Sequence, residues 1–246
     1  MARPSYPRHS GPRPAALPPV SRTVGQVVAE SIDLYRSRFG ACVALGLPVA
    51  VVDQLIVDRP VDERIAVLVV AAPFFSLAYA AACAIRQGER PPLRRWLVAV
   101  AAGTLTFLPA AALFPWFALG AILYLGLAAH AVPAAMAEGT TLVGSLRRTI
   151  QLGRADYVHA AGSLATLALL FGLTRLALGL LLRSQADNTL RVSIFLADLV
   201  IAPVLFLGGA VLYLGLSARV GTTREDRRRL RAEALETRPQ PGRRAE

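Results

Sequence analysis

Three charged side chains stand inside long apolar runs of this sequence: Asp53, Arg175 and Asp198. A charge at membrane depth costs about 2.5–3.5 kcal/mol even on the mildest insertion scales, unless it is paired or hydrated. Arg175 lies seven residues before the end of its run at Leu182, and Asp198 six residues into the run that starts at Val192. At about 1.5 Å per helical residue, both sit roughly 10 Å below the same membrane surface. Asp53 stands four residues before its own run ends at Val57. Matched depth on consecutive segments joined by a short loop makes Arg175 and Asp198 the expected pair, with Asp53 as a third member. Two kinds of chemistry fit such a cluster. One is a structural ion pair, its side chains snorkelling toward water. The other is a polar lining for a substrate or proton path. His130, in a further apolar run, adds a hydrogen-bonding position within the bundle.

No other residues are spaced for reaction. The sequence has no phosphate-cradling glycine loop, no Ser/His/Asp arrangement and no carboxylate pair in a pocket-like context. Cys42 and Cys83 form no CxxC pair, and His9, His130 and His159 do not cluster with them. Neither a disulfide framework nor a metal site is expected, no cofactor is implied, and the chain reads as a non-enzyme.

The elements that must hold the three charges are membrane spans. Of the 246 residues 54% are hydrophobic, and the charges gather at the two ends of the chain. A bilayer-crossing helix needs about 20 mainly apolar residues. Phe39 to Val57 and Ile65 to Ile85 each supply one. Trp96 to Ala137 runs for 42 residues without a formal charge, apart from His130. That is about 63 Å of helix, twice a hydrocarbon thickness, so the run must fold back once. Pro109 to Pro115 is the expected hairpin, since proline interrupts helical hydrogen bonding. Ala160 to Leu182 and Val192 to Ala218 bring the count to six. The fold class is all-α, a polytopic bundle.

All 27 basic residues are arginine. Six precede Phe39, four lie between Arg86 and Arg95, three between Arg147 and Arg154, and nine follow from Arg219 onward. The other side holds only Arg59, Arg64, Arg183 and Arg191. Positive-inside bias then places both termini in the cytoplasm of a multi-pass cell-membrane protein. Trp96 and Trp116 fall at span ends, as in an aromatic belt. Arginines confined to the gaps between apolar runs argue for anionic lipid headgroups as partners and against nucleic acid. Arg224 to Arg231 is the densest such segment. The absence of lysine beside abundant alanine suggests a GC-rich bacterial genome. Residues 1–22 carry six prolines and no signal-peptide core, and read as a disordered cytoplasmic tail. The membrane domain is 23–218, and 219–246 is an Arg-rich cytoplasmic tail.

Two amphipathic stretches flank the spans. Val24, Val28, Ile32, Tyr35 and Phe39 form one apolar face, opposite Glu30, Asp33 and Arg36. Leu142, Leu146, Ile150 and Tyr157 form another, with Arg147, Arg148 and Arg154 near headgroups. The two align without gaps at an offset of 118, Ile32-Asp-Leu-Tyr-Arg against Ile150-Gln-Leu-Gly-Arg. Either the chain carries a degenerate repeat of one interfacial helix and two spans, or two amphipathic helices have converged.

Thr23-Val-Gly-Gln and Ile32-Asp-Leu-Tyr-Arg-Ser-Arg-Phe-Gly40, entering a span, resemble the start of bacterial proteins of the glycerophosphoryl diester phosphodiesterase membrane-domain family. So do Val132-Pro-Ala-Ala-Met-Ala-Glu-Gly139 and Ser145-Leu-Arg-Arg-Thr-Ile-Gln-Leu152. The likeness covers most of residues 23 to 218, and only these two patches are specific. It implies a membrane domain that stands alone or precedes a phosphodiesterase barrel. A chain ending at Glu246 leaves no room for that barrel, so no phosphodiesterase activity is expected and no catalytic residue carries over. Glu138, Gly139, Arg147 and Arg148 match a family signature read as structural.

Two functions follow from the residues. The first is a non-catalytic scaffold or accessory subunit that organises lipids or a membrane-protein partner. The second is a transporter or permease component, its path lined by Asp53, Arg175 and Asp198. Few intramembrane polar residues and no clearly broken pair of helices weigh against the second.

Overall fold

The computed structural model describes residues 23–88 and 90–220, together with residues 226 and 229. The tail 1–22 and most of the Arg-rich segment expected to meet anionic lipid lie outside the described residues.

Six long apolar helices dominate: Phe39–Ile56, Val61–Gln87, Leu93–Leu113, Ala118–Glu138, Tyr157–Leu181 and Asp187–Arg219. Two shorter amphipathic helices, Val24–Ser37 and Leu142–Ala155, precede spans one and five. Among the described residues all regular structure is helical. Consecutive spans alternate in direction. The terminal face carries Phe39, Gln87, Leu93, Glu138, Tyr157 and Arg219, and the loop face carries the other ends.

The 42-residue run does turn back, at Phe114 to Phe117. Pro115 is in that turn, whereas Pro109 lies inside span three. Span six packs on spans one, two and five, and spans two and three make the most extensive contact. Small residues allow it: Ala72, Ser76 and Ala80 are fully buried, and a Cβ at Gly103 would come within 2.6 Å of Ser76 Oγ. Cys42 and Cys83 are both buried, as free thiols.

Two spans expected to be regular are interrupted. Span one contains a 3-10 turn at Ala44–Gly46, just before Pro48. Span four breaks at Ala129 and His130, just before Pro133. Each proline removes an amide hydrogen from the helical ladder and crowds the preceding turn. Gly46 also lets span one press directly on span six, where an added Cβ would lie 2.2 Å from the Leu199 carbonyl oxygen.

The amphipathic helices divide their apolar stripes between the bundle and the surroundings. The first buries Val27, Ser31 and Tyr35, and leaves Ile32 and Phe39 exposed. The second buries Ser145, Thr149 and Leu152, and leaves Ile150 and Tyr157 exposed. Tyr35 of the first stripe enters the core with Val28 packed against it, while Ile32, Phe39, Ile150 and Tyr157 meet the surroundings, and Ser31, Ser145 and Thr149 join Val27 and Leu152 in the inward seam.

The offset of 118 now extends well beyond the sequence match. Thr23 and Thr141 both cap their helices, accepting from the amides of Gln26 and Gly144. Both helices are 14 residues long. Each ends at a break, Arg38 or Asp156, that leads straight into a span. Each break residue then fastens to the far end of the second span in its unit. Arg38 donates to the Ile85 carbonyl at 2.8 Å, and Arg219 donates to Asp156 at 2.8 Å. This correspondence favours the repeat over convergence.

Candidate functional site

Span five carries Arg175 on the half nearer the loop face, the part of the helix that packs least. Its buried residues, Ala160, Ala161, Ser163 and Leu167, all lie in the half nearer the terminal face. Toward the loop face, Leu169, Leu173, Leu176 and Leu180 are exposed to the surroundings. Arg175 bridges that loosely held half to spans one and six. Its Nη2 donates to Asp53 Oδ1 at 2.6 Å, and its Nε lies 3.4 Å from Asp198 Oδ1. The Phe171 ring sits one turn below, 5.6 Å from the guanidinium carbon.

All three charges meet, but the order of partners differs from expectation. Asp53, not Asp198, is the near partner. Span one leans on span six at Gly46 and Leu199, which carries Asp53 to the mouth of the gap that Arg175 crosses. Asp198 stays behind the guanidinium, 0% exposed. Neither of its carboxylate oxygens accepts a hydrogen bond among the described residues. At 3.4 Å the contact with Nε is coulombic, without hydrogen-bond geometry.

Below this cluster lies a cavity of about 620 Å³, lined by residues of all six spans. Arg175 and Asp53 border it toward the loop face, and Ala160 and His130 toward the terminal face. From Ala160 to Arg175, span five rises about 22 Å, so the cavity is long. Its walls are chiefly alanine, leucine and phenylalanine. Two buried polar side chains interrupt them. The Tyr79 hydroxyl makes no hydrogen bond among the described residues. Neither ring nitrogen of His130 makes one of good geometry, although the Gly126 carbonyl is near. The sequence marked His130 for hydrogen bonding within the bundle. Tyr79 was missed, because one tyrosine in a span looks like core. The break at Ala129 and His130 places the histidine on the cavity wall.

The family-like signature forms a second polar group at the terminal face. Arg148 Nε donates to Glu138 Oε1 at 2.9 Å, and the Tyr213 hydroxyl donates to the same oxygen at 2.6 Å. Gly139 ends span four with φ +63°, a conformation glycine adopts without strain. Arg147 is exposed and takes no part. Nearby, Asp156 pairs with Arg219. Burial alone would raise the Asp156 carboxyl, but Arg219 and the His159 amide hold it below its ordinary 3.8, so the pair is ionised at neutral pH. These contacts tie the second amphipathic helix to spans four, five and six, which is a structural task. Among the described residues no cluster of His, Cys, Asp or Glu is placed to hold a metal ion.

The fold defines the class: an all-α, multi-pass membrane protein of six spans, with a half-open apolar cavity between them. Comparison with family models, curated proteins and solved structures returns no match.

Proposed function

We propose that the protein is a non-catalytic membrane component that holds an elongated, mainly apolar molecule between its spans and passes it along the membrane normal. The observation that carries this reading is the long cavity, with a charge cluster at one end and unmet hydrogen-bonding groups within. Its volume lies in the range of small-molecule sites, about 300–1,000 Å³. The turn at Ala129 and His130 borders the cavity and supports a binding role over a purely scaffolding one. The resemblance to the phosphodiesterase membrane-domain family stands within the proposal, on its two sequence patches, and contributes no activity.

Gly172 allows a direct test. It lines the cavity, and a Cβ there meets nothing within 4 Å. Gly172→Trp should therefore fold while filling the chamber. In lipid nanodiscs, dodecanol should raise the melting temperature of the wild type, because a ligand that binds only the folded state stabilises it. The variant should show little or none of this rise. Equal shifts in both would mean the alcohol acts through the bilayer, and the reading would fail.

We further infer that the terminal face is cytoplasmic, in a bacterial cell membrane, from 22 arginines on that side against four on the other. Reporter fusions at Gly11, Pro60, Gly88, Ala112, Gly139 and Asn188 should read in, out, in, out, in, out. A cytoplasmic signal at Ala112 would contradict the orientation.

A further inference from the structure

The polar end of the cavity sets one guanidinium beside two carboxyl groups. Arg175 is a single cation between two carboxylates, and it hydrogen-bonds only one of them. Burying a carboxylate without a donor is costly, and Asp198 is wholly buried. We propose that the cavity takes a cationic amphiphile, whose ammonium group docks on Asp53 while its chain runs down the apolar walls. This rests on the reading of the cavity as a binding chamber and adds the charge class of the occupant.

The geometry favours a cation over other headgroups. Asp53 borders the cavity and Asp198 does not, so an entering headgroup meets Asp53 first. An ammonium group brings N–H donors to that carboxylate and competes for it with Arg175. The displaced guanidinium then needs to close only the present 3.4 Å gap to Asp198 Oδ1 to hydrogen-bond it. Two cations then face two carboxylates, and both acids have donors. An anionic headgroup would instead have to draw Arg175 away from both acids, leaving them bare in a region of low dielectric. A neutral headgroup would bring Asp53 no charge-assisted hydrogen bond. The unmet groups of Tyr79 and His130, which are 4% and 2% exposed, independently mark the chamber as built around an occupant or its water.

The test uses three probes of one chain length: dodecylamine, dodecanol and dodecanoate. Each is titrated at pH 7 into the full-length protein in phosphatidylcholine nanodiscs, with empty nanodiscs subtracted. Dodecylamine should bind at least about tenfold more tightly than dodecanol, the value of one charge-assisted hydrogen bond. Dodecanoate should bind more weakly than dodecanol. Asp53→Asn should bring the amine to within about threefold of the alcohol, and Asp53→Glu should keep most of the preference. The inference is overturned if dodecylamine binds no better than dodecanol, or if its advantage survives in Asp53→Asn. In either case dodecanol binding would leave the chamber itself intact. If none of the three binds, the chamber reading fails, and the charge inference with it.

Discussion

Arg175→Leu should be among the most damaging single substitutions in the membrane domain. It leaves Asp53 and Asp198 together without a cation and frees the loop-face half of span five, which few buried contacts hold. Removing one partner of a buried ion pair costs about 3–5 kcal/mol in soluble proteins. Arg175 is 30% exposed, so on the order of 2–4 kcal/mol is expected after screening. That corresponds to a fall of roughly 5–15 °C in the melting temperature of a chain this size. A double-mutant cycle then separates the partners. Arg175 should couple strongly to Asp53, at 2.6 Å, and more weakly to Asp198, at 3.4 Å. Asp198→Leu alone should cost little, because it deletes a buried carboxylate that no hydrogen bond satisfies. Stronger coupling to Asp198 than to Asp53 would contradict the geometry.

Gly46→Val should have a comparable effect through packing. The added Cβ would lie 2.2 Å from the Leu199 oxygen and 2.8 Å from its carbonyl carbon. Both are backbone atoms of span six and cannot rotate aside, so span one must move away. Overpacking typically costs about 1–3 kcal/mol, and a contact between two backbones belongs at the top of that range. Because Asp53 is seven residues further along span one, the variant should also weaken the coupling between Asp53 and Arg175. Gly40→Ala is the control, since nothing lies within 4 Å of its Cβ. Equal melting temperatures for Gly46→Val and wild type would mean spans one and six do not meet there.

The spans were legible because hydrocarbon demands long apolar runs, and each run shows on its own in the sequence. The three charges were legible for the same reason: an ionised residue in such a run stands out, and its depth follows from counting. Their meeting was legible too, but not which carboxylate lies nearer Arg175. Adjacency in the chain pointed Arg175 at Asp198, whereas the choice depends on how span one crosses span six, which a single glycine decides. The amphipathic stripes were legible as apolar, but not which of their residues pack on the bundle: Tyr35 does, whereas Ile32 and Ile150 do not. In water an apolar face must seek protein, but at a membrane it has lipid as well, so the moment of the helix does not say which face packs. Ser31, Ser145 and Thr149 carry that information, as small residues able to form a close seam. The cavity was invisible because it is an absence, left where alanines and glycines of several spans fail to fill a common space.

The central claim is that a molecule occupies that space, and saturable quenching of a tryptophan on its wall tests it most directly. With Trp96 and Trp116 replaced by phenylalanine, Phe171→Trp places one fluorophore beside Arg175 on the cavity wall, and Leu176→Trp places one on a lipid-exposed position of the same span. An alkylamine brominated at its chain end, titrated into the protein in nanodiscs, should quench the cavity tryptophan saturably, approaching one ligand per protein, and the lipid-facing one only in proportion to its concentration in the bilayer. Unsaturable quenching of the same slope at both positions would show that the amine sees the protein only from the lipid, and would contradict an occupied chamber.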